Sequence, residues 1–120
     1  MSTSIMVVDD DPLIQMTISG ILEDEGYAVV CAGDGLEALA KLDEVRPAAI
    51  LLDITMPRMD GYAFAAELTR RGLRETLPLI VLTADGRAPE KAAQLGADGY
   101  LAKPFNLPTL LAEVARVAGG

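Results

Sequence analysis

The stretch IMVVDDDP, residues 5–12, joins four apolar residues to three aspartates and a proline. A continuous apolar run bounded in this way reads as a buried strand, whereas carboxylates are stable only when hydrated or partnered. Asp11 followed by Pro12 is a strong helix start, with Asp11 as N-cap and Pro12 at the first helical position. The stretch therefore reads as strand, acidic turn, helix. It also poses a problem, because three neighbouring negative charges at the end of a buried strand repel one another.

The same alternation continues outward. Further apolar runs lie at 27–32 (YAVVCA), 48–52 (AAILL), 79–83 (LIVLT) and 99–102 (GYLA). They are continuous rather than alternating, as expected for parallel strands covered on both faces. Segments of helical period separate them. Ile14, Thr17, Ile18, Ile21 and Leu22 form one stripe, with Gly26 as a stop. The segment 35–45 places Leu36, Leu39, Ala40 and Leu42 on one side, and 61–71 places Tyr62, Ala65, Ala66 and Leu68. A short helix within 89–95 is closed by Gly96. A last one runs from about Pro108, with Leu107, Leu110, Leu111, Val114 and Val117 as its stripe. Strand–helix units repeated in this way, with right-handed crossovers, predict an open parallel sheet with helices on both sides. No internal repeat, linker or low-complexity tract interrupts it, so residues 1–120 read as one domain, with Gly119–Gly120 as either a frayed tail or a cut site.

Bulk properties exclude several function classes. The 120 residues are 51% apolar and carry a net charge of −8, which fits a globular domain and disfavours nucleic acid as a direct ligand. No apolar run is long enough for a membrane span, and the opening MSTS lacks the pattern of a signal peptide, so the cytoplasm is the expected compartment. The single cysteine, Cys31, reads as a buried structural thiol. There is no histidine. That excludes a histidine base, a serine–histidine triad, a histidine metal ligand and a phosphohistidine carried by the chain itself.

In an open parallel sheet, ligands sit at the carboxyl ends of the strands where the strand order reverses. For the order 2-1-3-4-5, that crevice lies between the first and third strands. The first strand ends in Asp9 and Asp10, the third in Asp53 and the fourth in Thr83, while the fifth leads to Lys103. Each has an ordinary reading alone: a hydrated strand end, a β-branched strand residue, a surface charge. Their joint arrival at one sheet edge does not. Two carboxylates ~4 Å apart repel by ~4 kcal/mol at an effective dielectric of 20, a large part of a typical stability of ~5–15 kcal/mol. Such a cluster needs a cation or a retained proton. Oxygen ligands without histidine or cysteine favour magnesium, which is commonly held by one or two carboxylates together with a phosphate oxygen. Thr83 and Lys103 could then bind the remaining phosphoryl oxygens. No glycine-rich phosphate loop is present, so a bound nucleotide is not indicated.

VVDDDP, DITMPRMDG (53–61), LTA (82–84) and LAKPF (101–105), in this order, resemble the receiver domain of two-component response regulators. The strand order 2-1-3-4-5 used above is itself that of the family. The resemblance implies a flavodoxin-like, doubly wound (βα)5 fold. It implies that Asp53 accepts a phosphoryl group from the phosphohistidine of a sensor histidine kinase or a histidine phosphotransfer protein. Asp10 and Asp53 would hold Mg2+ directly, Asp9 through water and Thr55 through its carbonyl. Lys103 and Thr83 would assist, Thr83 and Tyr100 would form a switch pair, and slow hydrolysis would reset it. The output would be the surface of the fourth helix, fifth strand and fifth helix, meeting a downstream protein; the chain would be a monomer or weak dimer. Lys103–Pro104 would be cis. Met56–Pro57 and Asp60–Gly61 would shape the turn after Asp53, with Gly61 at positive φ. Thr55 and Asp85 would flank the phosphoryl site. The interval from Thr83 to Lys103 is somewhat short for the family, placing a loss in or before the fourth helix. Two alternatives remain: a magnesium-dependent aspartyl-phosphate phosphohydrolase, whose second aspartate is replaced here by Thr55, and a receiver-like module that is never phosphorylated.

Overall fold

The computed structural model describes residues 3–56, 58–84 and 86–118. Its elements follow in the order β1 (Ser4–Val8), α1 (Pro12–Asp24), β2 (Ala28–Ala32), α2 (Gly35–Lys41), β3 (Ala49–Asp53), α3 (Gly61–Arg70), a 3-10 turn (Arg74–Thr76), β4 (Leu79–Thr83), α4 (Ala88–Leu95), β5 (Gly99–Ala102) and α5 (Leu107–Ala118). All strand pairs are parallel, in the order β2-β1-β3-β4-β5. The expected topology is therefore the observed one.

Alternate strand residues feed two cores, as the period of two requires. Ile5, Val7, Leu51 and Leu82 pack with Ile18, Leu22, Leu110 and Val114, which places α1 and α5 on one face. Met6, Val8, Ile50 and Leu52 pack with Leu39, Leu42, Phe64 and Leu68, which places α2 and α3 on the other. Ile54, Val81 and Ala92 form a smaller contact under α4. The central strands β3 and β4 are buried throughout, and the edge strands β2 and β5 are partly exposed.

Several helical faces differ from the sequence reading. In α2, Ala38, Leu39 and Leu42 are buried, while Leu36 and Ala40 face solvent. This helix ends at Lys41 rather than 45, and turns follow it. In α3 the inward residues are Phe64, Ala65 and Leu68; Tyr62 and Ala66 point outward. Leu107 at the start of α5 and Thr17 in α1 are also exposed. In each short helix a small rotation about the axis exchanges one apolar neighbour for another, and the bulkiest residue able to reach the sheet, Phe64 in α3, takes the central place. Cys31 is half-buried rather than buried, with its Sγ 3.1 Å from Ser19 Oγ. Gly96, at φ 63°, closes α4 as expected, and Gly26, at φ 93°, follows α1.

Candidate functional site

The parallel register brings the strand ends together. Val8 lies beside Leu52, Asp53 beside Leu82, and Thr83 beside Ala102. The next residue after β1 is Asp9 and the next after β5 is Lys103, so both follow their strands onto the same edge as Asp53 and Thr83.

The three aspartates of the opening stretch have three different fates. Asp9 is fully buried; its Oδ1 accepts the Asp11 N–H at 2.9 Å and its Oδ2 accepts Lys103 Nζ at 2.8 Å. Asp10 is exposed. Asp11 caps α1, accepting the Leu13 N–H at 2.9 Å. The repulsion is thus divided: one charge is paired, one is hydrated and one faces the positive end of a helix dipole. Gln15, which sequence reading passed over, ties the edge together by donating from Nε2 to the carbonyls of Asp9 (2.5 Å) and Ala32 (3.2 Å).

Asp53 is 7% exposed. Its Oδ1 accepts the Thr55 N–H at 2.9 Å, and its Oδ2 lies 3.5 Å from Lys103 Nζ. Asp9, Asp10 and Asp53 each present a carboxylate oxygen within 4.8 Å of the others. Burial pushes the Asp53 carboxyl above its ordinary value; the Thr55 N–H and the Lys103 charge oppose this, and the charges of Asp9 and Asp10 add to it. At Lys103 burial works against the ammonium, but the bond to Asp9 and the charges of Asp53 and Asp9 outweigh it and hold the group above its usual value. Lys103 thus supplies the cation that sequence reading sought from outside, but only one ammonium against three carboxylates. The donor set contains oxygen alone and retains negative charge, which suits a hard dication such as magnesium.

Thr83 is buried at the end of β4. Tyr100 is 44% exposed, and its backbone N–H donates to Glu113 Oε2 at 3.1 Å. The Lys103–Pro104 peptide is cis, as expected. Gly61 differs from expectation: it is absent from the positive-φ residues, and a Cβ there would lie 2.6 Å from Ile54 Cα. Close approach, not backbone handedness, requires glycine at this position. Among the described residues of this loop, the positive φ belongs to Arg58 (64°). Pro57, Asp85, Gly119 and Gly120 lie outside the described residues.

This fold and this acidic edge define a signalling receiver, and the chain belongs to the response regulator receiver domain family, whose model matches residues 5–115. Among particular relatives, Response regulator MprA of Mycobacterium tuberculosis is 45% identical over 116 residues, covering 95% of this chain and 50% of that protein. The chain spans about half the length of such relatives. Among solved structures, the chemotaxis response regulator CheY4 of Vibrio cholerae superposes with a TM-score of 0.88 at 38% identity, over 98% of this chain and 99% of that one. The receiver domain of the sensor histidine kinase PA1611 of Pseudomonas aeruginosa superposes with a TM-score of 0.89 at 32% identity over all of both chains, and that structure has a magnesium ion coordinated in its active-site cleft.

Proposed function

We propose that the chain is a phosphorylation-activated switch in which Asp53 takes a phosphoryl group from a phosphohistidine on a sensor histidine kinase or a histidine phosphotransfer protein. A carboxylate oxygen of Asp53 attacks phosphorus in line, a P–O bond forms, the P–N bond breaks, and its electron pair returns to the partner's imidazole. Asp10 and Asp53 would hold Mg2+, with Asp9 acting through water and Thr55 through its carbonyl. When bound, the ion supplies positive charge against the transferring oxygens. Lys103, already at hydrogen-bond distance from Asp9 and near Asp53, turns toward the new phosphoryl group, and the Thr83 hydroxyl donates to another of its oxygens. Movement of Thr83 gives Tyr100 room to turn inward, which alters the α4-β5-α5 surface offered to a downstream protein. Later attack of water on phosphorus releases phosphate and restores the carboxylate.

The observation that carries this reading is the convergence of Asp9, Asp10, Asp53 and Lys103 at one sheet edge. Among the described residues no helix is long and apolar enough to cross a membrane, and the proposal keeps the cytoplasm as the compartment, residues 1–120 as one domain, and a monomer or weak dimer as the state. The test is incubation with acetyl phosphate, with and without magnesium, followed by intact-mass measurement. A magnesium-dependent gain of one phosphoryl group, absent in Asp53→Asn, supports the switch. Continuous phosphate release without a measurable adduct would favour the phosphohydrolase, and neither product would favour a module that is never phosphorylated.

A further inference from the structure

A second buried carboxylate lies outside this cluster. Asp34 is 3% exposed and stands just before α2. Its two oxygens have separate tasks. Oδ1 accepts the Glu37 N–H at 2.9 Å and caps α2. Oδ2 accepts from Arg58 Nε at 2.7 Å and also from the Arg58 terminal Nη2. Arg58 lies in the loop between β3 and α3, the segment that follows Asp53. There it holds the left-handed backbone that non-glycine residues seldom adopt. The next residue is seated on the same helix end. The Gly35 N–H donates to the Met59 carbonyl at 3.3 Å, and a Cβ on Gly35 would lie 2.7 Å from Met59 Cγ.

Among the described residues, three contacts bear directly on how this loop sits beside Asp53. Thr55 donates its N–H to Asp53, Gly61 packs against the Ile54 backbone, and Arg58–Met59 is fastened to the start of α2. The first two lie within a few residues of Asp53 in sequence. Ile54 is also tied to β4, its N–H donating to the Leu82 carbonyl at 3.4 Å. The third contact fastens the far half of the loop to α2, and nothing in capping α2 requires a guanidinium. A cap needs one oxygen; the second oxygen and the strained Arg58 backbone serve the loop.

We propose that Asp34 and Arg58 are positioning residues: by fastening the β3–α3 loop to α2 they fix the Thr55 backbone and so the cation site beside Asp53. The inference rests on the reading of the acidic edge given above. Neither residue touches the reacting atoms. Asp34→Asn separates the two tasks, because an amide oxygen can still cap the helix while the amide NH2 turns a donor toward the guanidinium.

The experiment titrates magnesium into 15N-labelled wild type, Asp34→Asn, Arg58→Lys and Glu67→Gln, following the amide signals of Thr55 and Met59. Glu67 on α3 pairs with Arg70 and with Arg71 at the helix's C-terminal cap, and serves as a control for lost surface charge. Magnesium binding by wild type tests the underlying reading, and its absence would remove that reading first. Given binding, Asp34→Asn is expected to stay folded, to broaden or shift Thr55 and Met59 before any metal is added, and to bind magnesium about tenfold more weakly, the scale on which groups supporting a metal site act. Arg58→Lys keeps the charge but loses the fork, and falls between; Glu67→Gln matches wild type. Wild-type affinity and unshifted Thr55 in Asp34→Asn would overturn the proposal and leave Asp34 as a helix cap alone. Should Asp34→Asn fail to fold, Arg58→Lys decides by the same two readouts.

Discussion

Asp34 and Asp53 are residues of one type, both almost removed from solvent, and their surroundings act on them in opposite directions. At Asp34 the Glu37 N–H is the largest influence; with the Arg58 guanidinium it outweighs burial and draws the carboxyl below its ordinary value. At Asp53 burial is the largest influence; with the charges of Asp9 and Asp10 it outweighs the Thr55 N–H and Lys103 and raises the carboxyl. One carboxylate is satisfied and holds the fold together. The other is left short of positive charge within the fold. A buried charge by itself thus says little about function; what distinguishes a binding pocket from a structural ion pair is whether the chain supplies enough counter-charge.

This contrast can be broken most severely at Asp53 itself. Asp53→Asn is expected to abolish phosphoryl uptake while leaving the protein folded, as read by intact mass and circular dichroism. Next in size is Lys103→Ala, which strips the ammonium from buried Asp9 and from Asp53. Removing one partner from a buried pair costs on the order of 3 kcal/mol, so metal-free Lys103→Ala should melt well below wild type, and magnesium should recover part of the loss. The 2.8 Å contact to buried Asp9 is what makes this substitution costly. Gly61→Ala forces a Cβ against the Ile54 backbone. It should cost about 1–3 kcal/mol, as overpacking does, and disturb the Thr55 amide signal.

The pH dependence sharpens the comparison with a difference of sign. Asp53 has its folded value raised, so its ionisation weakens the fold as pH climbs past the reference value of 3.8. Metal-free Asp53→Asn should therefore melt above wild type at neutral pH, by on the order of 1–2 kcal/mol given repulsion of ~4 kcal/mol per close pair and partial relief from Lys103. That advantage should vanish in acid. Asp34 has its folded value lowered from 3.8, so its contribution is complete above that value and is lost as pH falls through the folded one. Asp34→Asn should melt below wild type at neutral pH, and the deficit should also close in acid. Melting curves of the three proteins between neutral and acid pH check both signs. The smallest expected effect is at the sheet edge. Glu113→Ala frees the Tyr100 N–H on edge strand β5 and should cost about 1 kcal/mol, with faster amide exchange at Tyr100 as its mark.

The strands and their order were legible because continuous apolar runs and parallel crossovers leave few arrangements. The acidic edge was legible for the same reason: strand ends in a parallel sheet share one side, so Asp9, Asp53, Thr83 and Lys103 had to meet. Helical faces were less legible. In α2 and α3 small apolar residues surround the helix, and tertiary contact chose Phe64 over Tyr62. The role of Lys103 was half seen, since its end of β5 was evident but its bond to Asp9, 94 residues away along the chain, was not. The Asp34–Arg58 pair carried no local signal at all. A cap motif at 34–37 was available to notice, but the partner lies 24 residues away and is held by a backbone conformation that arginine seldom takes.

The central claim is that the carboxylates beside Asp53 are under-compensated by the chain and completed by a dication. A magnesium titration of the melting temperature tests it most directly. A ligand at free concentration L that binds only the folded state stabilises it by RT ln(1 + L/Kd), so that temperature climbs with the logarithm of ligand concentration once the concentration exceeds Kd. Wild type is predicted to rise by several degrees in millimolar magnesium, and Asp53→Asn by much less. A wild-type melting temperature indifferent to magnesium would contradict the account.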